Sequence, residues 1–291
     1  MGPTTTQENG RNGRYFELSR VFRPHAPDDE ARLFAGRTHQ LAGILDAITQ
    51  AGRHVVLFGE RGVGQTSLVK VFHDFLEPSH TRPETDLGTF VPFITCDSSD
   101  DYSSLWHKLF QQIELVENRP QMGFVSAVDP SITNLSSRLK VDCEPDDVVR
   151  LLQFLAERAT LAVFVIDEFD GLREQNVSGL FADTIKILSD YAVPVTLILV
   201  GVADNVNELI EEHACIERAC VQIRMPRMSQ DDLGEIIYRG LESVEMAIAQ
   251  DAIGYIVSLS QGLPHYTHLL GLAAGRAALT DGRRGRSREH S

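Results

Sequence analysis

Several things are scarce in this chain of 291 residues. There are four cysteines, Cys96, Cys143, Cys215 and Cys220, and their spacing matches no zinc-ligand pattern, so reduced structural thiols in a cytoplasmic protein are expected. No apolar run reaches the length of a membrane span, so no membrane partner is expected. The polar start MGPTTTQENGRNGR has no apolar core of the kind a secretory signal needs. Positive charge is also short: 27 lysines and arginines against 41 acids leave a net charge of −14. That balance opposes a surface built to coat nucleic acid, with GRRGRSR at 282–288 as the local exception.

One absence is a single residue. Residues 59–67 read GERGVGQTS, directly after the apolar run His54-Val55-Val56-Leu57-Phe58. The phosphate-loop pattern GxxxxGK[ST] is met at Gly59, Gly64 and Thr66, but Gln65 stands where the lysine belongs. The context is otherwise as required: a strand, a glycine-rich turn, then a helix pattern through Leu68, Val69, Phe72, Phe75 and Leu76. Gly59, Gly62 and Gly64 let backbone N–H groups converge on phosphate, and a helix beginning near Gln65 adds its positive end. The binding loop is thus Gly59, Glu60, Arg61, Gly62, Val63, Gly64, Gln65, Thr66 and Ser67, with the Thr66 hydroxyl a ligand for Mg²⁺. Arg61 is expected to face solvent, and Lys70 to lie beyond the phosphate end.

A second motif fits the same site. Leu161-Ala162-Val163-Phe164-Val165-Ile166 is a continuous apolar run suited to a central parallel strand, and it ends in Asp167-Glu168. Two adjacent carboxylates at a strand's carboxyl end face the ligand crevice of an open α/β sheet. Asp167 is the candidate Mg²⁺ partner and Glu168 the candidate base for the attacking water. Strands alternate with helices from here to Val221-Gln222-Ile223-Arg224, which indicates a three-layer α/β domain with a parallel sheet. Phe90 to Cys96 reads as one strand, which Pro92 places at an edge, Tyr102 to Val116 as a helix, and 117–145 as an extended insertion. A short helix is expected at 206–213.

From Pro226 the pattern becomes all-helical, with a cap at Ser229 and helices near 249–260 and 264–279. The expected organisation is a disordered or irregular arm over 1–30, an α/β core over 31–226, a helical lid over 227–280 and a basic disordered tail over 281–291.

Both motifs on an α/β core followed by a short helical lid resemble the AAA+ P-loop ATPases, most of all the branch of replication initiators, with the signal-transducing STAND ATPases nearby. The resemblance covers about residues 31–280. LFAGR at 33–37 resembles the box that lies close to adenine in this branch. VLFGERGVGQTSL and AVFVIDEFD resemble Walker A and Walker B, which implies ATP and Mg²⁺ as cofactors. LILVGVADN resembles the sensor 1 strand, so Asp204 or Asn205 would orient water. CIERA resembles the box of the arginine finger, which makes Arg218 the candidate for completing a neighbouring copy's site in a homo-oligomer. QGLPHYTHLL resembles the sensor 2 helix, with His265 where an arginine is usual.

The resemblance therefore implies an ATPase acting as a nucleotide-dependent switch. The loss of charge at Gln65 implies impaired hydrolysis, by about 10²–10³ in rate. Two alternatives stand beside it. One is a nucleotide-binding scaffold without turnover, working through a separate effector protein. The other is a DNA-acting initiator or transposition helper without the winged-helix domain of its relatives.

Overall fold

The structure, a computed structural model, describes residues 4–23, 36–76, 88–119, 129–173, 176–210 and 214–281. By internal packing the chain divides into two compact units. One comprises Gln40–Gly59 and Phe72–Arg224; the other comprises Met1–His39, Glu60–Val71 and Met225–Ser291.

The first unit is built on a parallel sheet. Its strands are β1 (His54–Gly59), β2 (Gly88–Phe90), β3 (Phe93–Thr95), β6 (Ala159–Asp167), β7 (Thr196–Val202) and β8 (Cys220–Met225), in the order β2-β6-β7-β1-β8, with β3 also on β6. The β1–β7, β6–β7, β2–β6 and β3–β6 pairings are all parallel. Register brings Thr95 opposite Asp167 and Gly59 opposite Val202, so these carboxyl ends share one edge of the sheet. All six β1 residues are buried, as are the last six of β6 and the first six of β7, and this accounts for their unbroken apolar runs. The expected edge strand is two short strands, because Pro92 has no N–H to give; its carbonyl still accepts from Val165 N at 2.9 Å.

Helices α4 (Tyr102–Gln111), α5 (Pro145–Ala156) and α6 (Val177–Asp190) supply much of the apolar cover. The sole tryptophan, Trp106, is fully buried among Phe110, Phe164 and Phe181. Asp101 and Ser104 close a capping box at the start of α4. This helix ends earlier than Val116. Glu114–Arg119 instead forms β4, paired antiparallel with β5 (Asp129–Asn134), so the expected insertion begins as a hairpin. The helix expected at 206–213 is a single 3₁₀ turn over Val206–Glu208, with α7 (Ala214–Ala219) after it. Glu208 is tied back to Asp204 and Asn205, which closes the chain into the tighter turn.

The second unit gathers α8 (Gln230–Ser243), α9 (Gln250–Ser260) and α10 (Pro264–Thr280), close to the predicted helices. It also contains α1 (Thr4–Val21), where disorder over 1–14 and irregular chain beyond were expected. Its sequence is polar overall, so local periodicity gives it no signature. Its cover comes from far along the chain: Leu18 packs at Gly275 and Phe22 at Gly240 and Gly271, where an added Cβ would come within 3 Å of the ring or the leucine. Arg276 Nη2 donates to Ser19 Oγ at 2.8 Å and its guanidinium lies over the Tyr15 ring. Among the described residues, no helix is long and apolar enough to cross a membrane. The basic tail and residues 33–35 of the LFAGR segment lie outside the described residues.

Candidate functional site

The phosphate loop leaves β1 at Gly59, whose carbonyl accepts from Ala203 N at 3.3 Å. Gly62 and Gly64 take φ values of 87° and 92°, a conformation that costs an L side chain about 1–2 kcal/mol. Helix α3 (Gln65–Leu76) starts at once, its first bond running from Leu68 N to Gly64 O at 3.1 Å. The glycines thus turn the chain into a helix N-terminus, which is a ready anion site. Gln65 opens that helix and is only 7% exposed, while Thr66 and Ser67 are half-buried in its first turn. Arg61 is exposed, as expected, and Val63 is buried.

The rest of the loop's unit holds it from three directions. Arg37, only 4% exposed, donates from Nη2 to the Val63 carbonyl at 2.8 Å. Burial pushes its guanidinium below the ordinary value, partly offset by Asp232. Arg227 grips Glu60, with Nη2–Oε2 at 2.7 Å and Nε–Oε2 at 3.0 Å, and Glu60 raises its pKa in return. At the start of α10, a Cβ on Gly62 would lie 3.7 Å from His265 Cβ, and one on Gly64 would lie 3.6 Å from Pro264 Cγ. His265 therefore stands beside the loop, half-buried, its ring edge-on to Tyr266. Three residues on, His268 is buried against Phe22, and desolvation followed by the nearby His265 lowers its pKa to about 4.

The sheet unit carries the acidic residues. Asp167 ends β6 with 2% exposure, accepts from Glu168 N at 2.9 Å through Oδ1, and gives its carbonyl to Cys96 N at 2.8 Å. Glu168 is exposed and left-handed, with φ 55° and ψ 37°. Such strain in a non-glycine residue costs about 1–3 kcal/mol and is found at functional sites. The turn after it is pinned by Asp170, whose Oδ1 accepts from Val202 N at 2.8 Å.

Asp204 and Asn205 are both exposed after β7. Glu208 engages both: Oε2 accepts from Asp204 N at 2.9 Å and Oε1 from Asn205 Nδ2 at 2.7 Å. One donor bond of the Asn205 amide is thereby given to a carboxylate. Arg218 is exposed on α7, and its carbonyl accepts from Arg53 Nη1 at 2.6 Å.

The unit division places Glu60, Arg61, Gly62, Val63, Gly64, Gln65, Thr66, Ser67 and His265 in the helical unit, and Gly59, Asp167, Glu168, Asp204, Asn205 and Arg218 in the sheet unit. The Thr66 hydroxyl in one unit and the Asp167 carboxylate in the other are each, taken alone, the kind of oxygen donor that a hard cation such as Mg²⁺ accepts. Among the described residues no cluster of three or more His, Cys, Asp or Glu could hold a metal alone. Sequence reasoning missed Arg37 and Arg227 as partners of the loop. One signal was available for the second: a carboxylate at Glu60, inside a loop shaped for anions, calls for a cation.

A family described as "AAA domain" matches residues 48–210, more than half of the chain. No curated protein shows significant similarity. Solved structures share the fold at low identity. A Walker-type ATPase of Pyrococcus abyssi is 17% identical with a TM-score of 0.53, over 90% of this chain and 72% of that one. The Orc1 protein of Aeropyrum pernix, solved in complex with DNA, is 16% identical with a TM-score of 0.55, over 92% of this chain and 66% of that one. Domain III of the Thermotoga maritima replication initiation protein DnaA is 11% identical with a TM-score of 0.52, over 90% and 93%.

Proposed function

This chain belongs to the AAA domain family, and on that premise we propose that it binds ATP with Mg²⁺ and acts as a nucleotide-dependent switch whose hydrolysis is impaired by Gln65. The observation that carries the reading is the loop itself: two left-handed glycines deliver the chain into the first turn of α3, with Thr66 in that turn. Backbone N–H groups from Gly62 to Thr66 bind the phosphates, and the helix end favours their charge. Thr66 and Asp167 would be the Mg²⁺ ligands that the family resemblance implies, and the ion would neutralise phosphate charge as it develops. Glu168 takes the proton of the attacking water, and Asp204 or Asn205 orients that water. Arg218 stabilises the transferred charge in a second copy's site, so activity depends on self-association.

Gln65 keeps the length and a donor of lysine but brings no charge, and His265 stands where the family resemblance puts an arginine. The decisive experiment is phosphate release by this chain and by its Gln65→Lys form, alongside titration of a fluorescent ATP analogue. Binding by both, with turnover raised about 10²–10³-fold in the lysine form, supports the reading. Binding without turnover in either form supports a nonhydrolysing scaffold that signals through a separate effector. No binding in either removes the nucleotide reading. A DNA-acting role is opposed by the net charge of −14, and duplex binding at low salt would be needed to revive it.

A further inference from the structure

Arg227 is bonded to the phosphate loop through Glu60. Its Nε lies 3.2 and 3.0 Å from the two Glu60 oxygens, Nη2 lies 2.7 Å from Oε2, and Nη1 donates to the Gln261 carbonyl at 3.2 Å. The turn between α9 and α10 is shaped around it: a Cβ on Gly262 would fall 2.6 Å from Arg227 Cβ, and Met228 N donates to the Gly262 carbonyl at 2.8 Å. All of these residues lie in the one compact unit that also holds the loop.

Glu60 is out of place in a loop that receives phosphate, since its carboxylate repels the ligand. The guanidinium that neutralises it presents a planar fork suited equally to carboxylate and phosphate. Both side chains are about half exposed, 48% and 47%, so water screens the pair and little is lost by breaking it. A phosphate group with two charges is a stronger competitor for that fork than one carboxylate.

We propose that Arg227 is a phosphate-binding residue of the nucleotide site, and that Glu60 is the internal carboxylate which ligand phosphate displaces from it. Arg227 then supplies, from within the subunit, positive charge that Gln65 does not. The inference rests on the nucleotide-binding reading above. It differs in sign from a purely structural tie between loop and helices: if the pair only held the loop, loss of Glu60 would loosen it and weaken binding.

The test is titration of the full chain with N-methylanthraniloyl-ADP and Mg²⁺ at fixed ionic strength. Glu60→Gln is expected to tighten binding about five-fold, and Arg227→Gln to weaken it about ten-fold. The double variant is expected to bind like Arg227→Gln alone, and adenosine competition to be equal in all forms. Unchanged or weaker binding by Glu60→Gln overturns the proposal. So does equal tightening with Arg227 replaced, which would mean only that a repelling carboxylate was removed. Should Arg227→Gln lose its helical signal, Arg227→Lys keeps the charge without the fork, and binding no weaker than the wild type would overturn the role of the fork. If the wild type binds and the cycle fails, only the Arg227 assignment falls; if no form binds, the nucleotide reading falls with it.

Discussion

In the helical unit the cations beside the phosphate loop are committed to protein oxygens, Arg37 to the Val63 carbonyl and Arg227 to Glu60. In the sheet unit the carboxylates are arranged the other way: Asp167 is buried at a strand end, and Glu168 is held out in a strained backbone. One region carries the acids to which the family resemblance assigns catalytic roles. The other has a buried glutamine where the phosphate-loop pattern has lysine, and its Arg227 is paired with Glu60. Loss of catalytic pressure across the whole site would be expected to relax Glu168 first, because its conformation costs stability and returns nothing without chemistry. The contrast therefore favours altered charge delivery over a site abandoned altogether.

The largest expected effect compares one buried histidine in each unit. His54 is fully buried at the start of β1, accepts from Leu197 N through Nδ1 at 3.1 Å, and is lowered by desolvation to about 3. His268 is lowered to about 4, by burial and then His265. Both folded values lie below the ordinary 6.5, so both rings stay neutral in the fold while the unfolded chain takes up protons. Stability is whole above pH 6.5 and is lost as pH falls, down to about 4 for His268 and about 3 for His54. At pH 5 each costs about 2 kcal/mol. Asp97, Asp100 and Asp147 are held below the ordinary carboxylate range. Urea unfolding between pH 6.5 and 5 measures the slope. His54→Gln should flatten the part belonging to the sheet, and a wild type equally stable at both pH values would show that the rings charge in place.

A smaller effect separates two glycines within the helical unit. In α8, a Cβ on Gly240 would lie 2.5 Å from Phe22 Cζ, whereas in α9 one on Gly254 meets nothing within 4 Å. Both substitutions by alanine gain about 1 kcal/mol of helix propensity. Gly240→Ala also overpacks the α1 contact, for a net loss of about 1–2 kcal/mol, while Gly254→Ala keeps its gain. Equal melting temperatures for the two variants would show that Phe22 is not wedged against α8.

That contact also marks where sequence stops being legible. The strand–loop–helix from His54 to Leu76 and the strand ending at Asp167 could be read directly, because apolar runs and glycine spacing are local signals. Helix α1 could not, since Leu18 and Phe22 are covered by glycines more than two hundred positions away. The charge pairing of the loop was hidden for the same reason, Glu60 and Arg227 being 167 positions apart. Asn205 differs in another way: its residue type and position suit a water-orienting role, and nothing in the local pattern announces that Glu208, three residues on, also engages its amide.

The smallest effect sets one glutamate of each unit against the other. Glu168, after β6, and Glu245, after α8, have φ values of 55° and 56°. At a helix end this conformation is a common way to stop, and glycine is the preferred residue there. At the end of β6 no helix requires it. Replacing either glutamate with glycine relieves about 1–2 kcal/mol of left-handed strain and gives back part of that as added freedom in the unfolded chain, a net gain of about 0.5–1 kcal/mol. The Arg14 pair of Glu245 is exposed and adds little to this difference. In melting experiments the two variants should therefore look alike. In phosphate release measured on the Gln65→Lys background they should not: Glu245→Gly leaves turnover intact, and Glu168→Gly abolishes it by removing the base. Stabilisation at both sites with turnover lost at neither would keep the strain and dismiss Glu168 as the catalytic carboxylate. Loss of turnover without stabilisation would keep the base and show that its backbone is not under strain.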